Sequence, residues 1–401
     1  MNTQNPTRML LKNIQIYAEN MIIENGFIKI EGEKIVELGE MAQLRNGETY
    51  LEVDIPPAHK AIPGLIDVHI HGVAGADTMD ATPEALETMA KALPGEGTTS
   101  FLATTITQGK TEIEKALENA AEYINHSQAP GKAEILGVHL EGPFVNDKRA
   151  GAQPVEHMVK PDTDLFNKWQ ELSQKNIKLV TLAPEIPGGL ELVKHLRDSG
   201  VVASIGHSDA SFEEVKEAAE AGATQVTHLY NQMRGFHHRE PGVVGAAFLL
   251  DELMAEIIVD GIHARPEAVK IAFKQKGSEG LILITDSMRA KCLKNGVYDL
   301  GGQDVTVKDG KAVLRDGTLA GSILKLGDGV KNIMAYTGCG LEEAIEMTSG
   351  NPAKQLNVYD RKGSIAPGKD GDLVILDEEH NIYLTLCKGK IAYRKAGENA
   401  R

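Results

Sequence analysis

His69 and His71 stand two residues apart in the stretch Pro63 to Gly72, which reads P-G-L-I-D-V-H-I-H-G. Leu65 to Ile70 alternates with the period of a strand, which predicts Asp67, His69 and His71 on one face and Ile66, Val68 and Ile70 on the other. Two imidazoles pointing the same way where the chain turns at Gly72 suit a divalent ion. Glu141, His207, His228 and Asp286 follow at wide intervals. Neutral imidazoles and a carboxylate are borderline-hard donors for Zn, Fe, Mn or Co. On that chemistry Glu141, His207 and His228 hold one ion with an open position for water, and His69 and His71 hold a second with Glu141 bridging. A bound ion lowers the pKa of water towards neutrality, and the Asp286 carboxylate takes the proton and passes it to a leaving nitrogen. His139, on the strand face of Glu141, is a candidate either for donating to the oxyanion or for orienting that glutamate. A single strand-end histidine is more often a hydrogen-bonded structural residue, so the argument rests on where all of them fall together.

Their placement follows from the elements that carry them. Eight apolar runs read as strands: Leu65 to Ile70, Thr98 to Ala103, Glu134 to Leu140, Ile177 to Leu182, Val201 to Ile205, Ala223 to His228, Ala255 to Asp260 and Leu281 to Thr285. Amphipathic stretches separate them, including Pro83 to Leu93 behind the N-cap Thr82, Lys110 to Asn125, and a helix opened by Ser211 with Glu214 closing a capping box. Eight β/α units, with no G-x-G-x-x-G after the first strand, predict a closed (β/α)8 barrel of the TIM type rather than a doubly wound sheet. Chemistry in such barrels gathers at the C-terminal ends of the strands, and the first, third, fifth, sixth and eighth runs end in or lead into His71, Glu141, His207, His228 and Asp286.

Short β-type runs separated by turn signals fill residues 10 to 55, with Asn25-Gly26 read as a turn, and the same texture returns after residue 363. Head and tail therefore predict one small β-sandwich domain, 1–60 with 363–401, interrupted by the barrel at 61–362. A chain of 401 residues with 42% hydrophobic and 25% charged side chains has enough apolar material for a large core and too much for disorder. Its formal charge of −15 repels nucleic acid and anionic membrane, and no run of 18 apolar residues offers a span. Cys292, Cys339 and Cys387 are far apart and form no C-x-x-C, which fits a reducing, cytoplasmic setting.

The ordered set of motifs resembles the amidohydrolase superfamily: P-G-L-I-D-V-H-I-H-G, the strand-end Glu and His residues, Thr285-Asp286, and G-S-I-A-P-G-K-D-G-D-L-V-I-L from Gly363 to Leu376. More narrowly, H-L-E-G-P-F at 139, I-G-H-S at 205, T-H-L-Y-N at 227, R-E-P-G at 239, D-G-I-H at 260 and L-A-G-S at 319 resemble the N-acetylglucosamine-6-phosphate deacetylase family over nearly the whole chain. The resemblance implies a metal-dependent homodimer that hydrolyses the acetamide of a phosphorylated amino sugar, in amino-sugar catabolism and cell-wall recycling. It implies one or two metal ions, Glu141, His207 and His228 as the main site, and Asp286 as the catalytic acid/base. Ala152, Asn231, Gln232, Arg239, His263, Leu319, Ala320 and Gly321 match the substrate contacts. The family often has Asn-Ala where this chain has Asn231-Gln232.

In an acidic protein the sugar phosphate needs local cations. The segment Arg234 to Arg239, R-G-F-H-H-R, supplies them, with the Arg239 guanidinium the best candidate and His237, His238 and His263 as helpers. Two rivals stand beside this reading. One is another amidohydrolase acting on a different amide, although the fourth strand ends Leu182-Ala183-Pro184-Glu185 without the lysine that cyclic-amide enzymes use. The other is a non-catalytic metal-binding scaffold on the same fold.

Overall fold

The computed structural model describes residues 8–45, 49–53 and 55–396 of the chain. The polar N-terminal residues 1–7 and the last five, which the sandwich was expected to include, lie outside these. Eight parallel strands form the barrel: Leu65–Ile70, Thr98–Thr105, Glu134–Glu141, Ile177–Leu182, Val202–Ile205, Gln225–Val226, Met254–Ile258 and Leu281–Ile284. Each is hydrogen-bonded to its sequence neighbour, so the spatial order is the chain order. Helices follow the strands on the outside as the caps foretell. The Thr82 hydroxyl accepts from Ala85 N at the start of Pro83–Ala92, and Ser211 and Glu214 exchange bonds at the start of Phe212–Ala221. Trp169, Phe166 and Phe144 are fully buried in the large apolar cluster between helices and strands. Each such aromatic contributes roughly 2–3 kcal/mol by leaving water.

The barrel closes between its first and eighth strands by irregular contacts. Asp286 N donates to His69 O at 2.8 Å, and His71 N and Gly72 N both donate to Ser287 O. Below them the Asp67 carboxylate accepts from Thr285 N at 3.3 Å, Thr285 Oγ1 at 2.6 Å and His69 N at 3.3 Å. Asp67 therefore fills the seam. The predicted alternation holds for Ile66 and Val68 and breaks at Ile70, which packs in the large cluster between helices and strands after the strand's register slips between Asp67 and Ile70. Ile66 and Val68 share a cluster with Leu102, Leu179, Ile258, Ile282 and Ile284. A cluster fed by five barrel strands lies inside the barrel, beneath the histidines. Burial pushes the Asp67 carboxyl up to about 6, against the nearby charge of Lys291.

The remaining long sheet joins the two ends of the chain. In spatial order it runs Lys390–Arg394, Ile382–Cys387, Leu373–Leu376, Lys60–Pro63, Arg8–Ala18, Met21–Glu31 and Lys34–Glu40, with Leu51–Val53 beside Arg8–Ala18. It forms the small β-sandwich around its own apolar core, which includes Leu11, Ile16, Ile28, Ile375 and Leu384. Asn25-Gly26 is not a turn. Gly26 sits within Met21–Glu31, facing Ile14 at a register shift, where an added Cβ would lie 2.5 Å from the Ile16 side chain. Glycine here marks a bulge. Lys60–Pro63 belongs to this sheet and passes through Gly64 straight into the first barrel strand. The two units are also clamped by charge, since Glu134 of the third strand meets Lys388 of the tail at 3.5 Å, and Arg361 and Lys362, at 2.9 and 2.8 Å from Glu134, reach on to Asp370. Lys362, buried, also binds Asp370 and Asp372.

One element had no counterpart in the strand count. Gly296–Leu300, Gln303–Lys308 and Lys311–Val313 form an antiparallel sheet between the eighth strand and its helix. Its turns, Gly301-Gly302 and Asp309-Gly310, have positive φ at both positions, as tight hairpins require. This sheet lays Leu300 against the barrel mouth. Among the described residues no helix is long and apolar enough to cross a membrane.

Candidate active site

Six side chains converge at the C-terminal mouth of the barrel. The backbone makes this possible by leaving the extended region at three of them: His207, His228 and Asp286 have φ of 47°, 31° and 47°. Such left-handed residues cost energy and gather where a site needs side chains redirected. Gly206 lets the fifth strand approach the sixth, for an added Cβ would lie 2.6 Å from the Thr227 Cβ. His207 Nε2 and His228 Nε2 consequently stand 3.1 Å apart, and each lies 3.2 Å from Glu141 Oε1. On the other side His71 Nε2 lies 3.3 Å from Glu141 Oε2 and 3.2 Å from Asp286 Oδ1. His69 Nε2 is 3.4 Å from both Glu141 Oε1 and Asp286 Oδ1.

These contacts form two candidate metal-binding groups, His69 with His71 and Asp286, and Glu141 with His207 and His228, the ligand atoms of each within 4.8 Å of one another. Tetrahedral ligands at ordinary zinc distances are separated by about 3.3 Å, and the observed spacings match. A further observation fits an ion: His69 Nε2 is buried, aimed between two carboxylates, and has no hydrogen-bond partner. Burial would drive the carboxyl of Glu141 up, yet the charge of nearby His69 and bonds from His207 and His228 hold it well below the usual range. Asp286 is also held low against burial, by His69 and His71. Reciprocally, bonds and charge from Asp286 and Glu141 overcome burial and push His71 up to about 10. A group of buried carboxylates and imidazoles so dependent on positive charge suits a divalent cation.

Neighbouring groups fix the orientation of this set. Gln153 donates through Nε2 to Glu141 Oε2 at 2.7 Å and lines the mouth. The Nδ1 of His207 lies 2.8 Å from Arg149 O, and the Nδ1 of His69 lies 3.0 Å from Glu256 Oε2. Neither Gln153 nor Glu256 was picked out from the sequence. Glu256 carried a signal: it is a lone acid inside the apolar run Ala255 to Asp260, and buried glutamates need partners. His139 does not reach the mouth or touch Glu141. It is fully buried, bonded to Thr181 Oγ1 at 2.7 Å, and its ring packs edge-on against His69 at 4.5 Å.

The mouth is lined by Ala152, Asn231, Gln232, His263, Leu319 and Gly321 from the expected substrate contacts, together with Ile106 and Leu300. Ala320 is buried beneath it, with its N–H bonded to Ala312 O. His263 is held by Asp260, Nδ1 to Oδ2 at 2.7 Å, which raises its pKa against burial. Arg239 is exposed outside this lining, with Nη1 2.7 Å from His238 Nε2.

Comparison with known proteins now gives this geometry a context. The model of the amidohydrolase family matches residues 61–392. N-acetylglucosamine-6-phosphate deacetylase of Bacillus subtilis (strain 168) is 51% identical over 388 residues, covering 96% of this chain and 97% of that protein. The crystal structure of N-acetylglucosamine-6-phosphate deacetylase from Thermotoga maritima is 36% identical, with a TM-score of 0.86 over 96% of this chain and 100% of that one. A mutant of the Mycobacterium smegmatis enzyme, in complex with N-acetyl-D-glucosamine-6-phosphate, is 29% identical with a TM-score of 0.89 over 96% and 99%. On that family match and on a relative half identical over nearly its whole length, the chain belongs to the amidohydrolase family and, within it, to the N-acetylglucosamine-6-phosphate deacetylases.

Proposed function

We propose that the protein hydrolyses N-acetyl-D-glucosamine 6-phosphate to D-glucosamine 6-phosphate and acetate, in amino-sugar catabolism and cell-wall recycling. The observation that carries this reading is Asp286, itself part of one of two adjoining candidate metal groups, in a mouth lined by Ala152, Asn231, Gln232, His263, Leu319 and Gly321. Glu141, His207 and His228 are read as ligands of one divalent ion, and His69 and His71 as ligands of a second, with Glu141 between them. When bound, Zn, Fe, Mn or Co supplies Lewis acidity and makes water a nucleophile near neutral pH.

The chain's own residues do the rest. Asp286 is ionised at neutral pH and accepts the proton released as water adds to the acetamide carbon. The same carboxyl returns that proton to the nitrogen as the C–N bond breaks, so the products are acetate and a free amine. Asn231, Gln232, His263 and the backbone of Ala152 and Leu319 to Gly321 orient the sugar. Arg239 is read as the phosphate contact. Its exposure beside Phe236, and an apolar helix Gly242–Leu249 with Leu249 exposed, support a homodimer in which this loop lies at an interface. Three unpaired cysteines fit a cytoplasmic enzyme, and the barrel unit is read as inserted between the two stretches of the terminal sheet, the first of which runs on to Pro63 rather than ending at residue 60.

Acetate release from N-acetylglucosamine with and without its 6-phosphate, alongside metal analysis, tests the proposal. Turnover confined to the phosphorylated sugar supports it. Metal bound without acetate release from either sugar favours the scaffold reading.

A further inference from the structure

Glu256 lies in the seventh barrel strand, Met254–Ile258, and is fully buried. An acid there needs donors on both oxygens, and it has them. Oε1 accepts from Gln225 Nε2 at 2.6 Å, while Oε2 accepts from the backbone N–H of His228 at 3.2 Å and lies 3.0 Å from His69 Nδ1. One carboxylate thus touches a residue from each candidate metal group. It grips the ring of His69 and the left-handed backbone of His228. Glu256 is on the far side of the His69 ring from Glu141 and Asp286, so it is not placed to ligate. Its acceptor keeps the proton of His69 on Nδ1, which leaves the lone pair on Nε2, the buried atom that has no hydrogen-bond partner and faces Glu141 and Asp286.

We propose that Glu256 is a positioning residue that couples the two candidate metal groups, by fixing the ring and tautomer of His69 and anchoring the turn that delivers His228. This rests on the reading above that His69 holds an ion. Carboxylate partners of metal-binding histidines contribute roughly 10–100-fold to metal affinity, which sets the expected size of the effect.

The Glu256→Gln variant is suited to the test because Gln225 Oε1 is buried without a partner. Turning over the Gln225 amide presents that oxygen to the introduced NH2, and the remaining carbonyl oxygen of residue 256 can still accept from His228 N and His69 Nδ1. Zinc stoichiometry and affinity, measured by chelator competition on wild type, E256Q, E256L, H69N and the H69N/E256L double variant, decide the matter. About tenfold weaker zinc binding is expected in E256Q and nearer a hundredfold in E256L. Because Glu256 acts through His69 at one group and through the His228 N–H at the other, the losses in the double variant are expected to be less than additive, the His228 share alone remaining once His69 has been replaced.

Fully additive losses in the double variant, or unchanged zinc affinity in E256L, overturn the inference. If H69N itself leaves zinc binding unchanged, the assignment of His69 as a ligand falls, and the inference with it. Loss of thermal stability in E256L with equal zinc affinity assigns Glu256 a structural role only and also overturns it.

Discussion

Asp286 Oδ1 lies 3.2 Å from His71 Nε2, at the junction where the last barrel strand meets the first. The carboxylate has two neighbours of the same kind, since His69 Nε2 is 3.4 Å away. It therefore faces one candidate metal group while lining the mouth where substrate enters. Replacing it with asparagine keeps the shape and removes the base. Asp286→Asn is expected to lower kcat about a thousandfold, the usual scale for losing a positioned acid/base group. Metal analysis should still find the ion of the Glu141, His207 and His228 group, and its loss would count against a purely acid/base role.

Glu141 is shared more widely. Its Oε1 faces His207 and His228, and its Oε2 faces His71. Glu141→Gln should therefore strip metal from both groups together, whereas His71→Asn should affect one. Metal content after dialysis against a weak chelator separates these outcomes.

Arg239 is the least enclosed of the expected substrate contacts. If it holds the phosphate, Arg239→Ala should raise KM for N-acetylglucosamine 6-phosphate by roughly 10–100-fold, the scale of a charge-assisted hydrogen bond, and change kcat little. Steady-state kinetics on the phosphorylated sugar decide it, and an unchanged KM moves the phosphate elsewhere.

Glu134 clamps the third barrel strand to the tail. Burial raises its pKa, but Lys362 and Arg361 outweigh this and hold it at about 2. A depressed folded-state pKa means that the clamp's stabilisation is complete above the ordinary glutamate value of about 4.5 and is lost as pH falls through about 2. Glu134→Gln leaves Lys362 with one acid fewer and should cost on the order of 3 kcal/mol at neutral pH. The gap in Tm between wild type and variant should narrow as pH is lowered from 4.5 towards 2.

What could be read from the sequence divides along the distance over which each feature is decided. The barrel was legible because each apolar strand carries its own pattern, and Glu141, His207 and His228 because each closes such a run at the same end. The slip that sends Asp67 into the seam was not, since it depends on Thr285 across the closed barrel. Asn25-Gly26 misled for a related reason: the local signal for a turn and for a bulge is the same, and Ile14 on the neighbouring strand decides between them. The sheet from Gly296 to Val313 did carry hairpin signals at Gly301-Gly302 and Asp309-Gly310, outside the β/α rhythm. Gln153 lies in a loop, and nothing nearby in the chain marks its bond to Glu141.

The seam also governs when the site can exist. Asp67 and Thr285 are 218 residues apart, and the strand that carries Asp67 is continuous with a sheet that needs the segment Leu373–Leu376 beside Lys60–Pro63. A chain emerging from the ribosome holds His69 and His71 early, but it lacks Asp286 and the closing strand until more than two thirds of the polypeptide has been made. Assembly of that junction is thus a late event of biosynthesis, and a chain ended before it carries histidines with no centre to join.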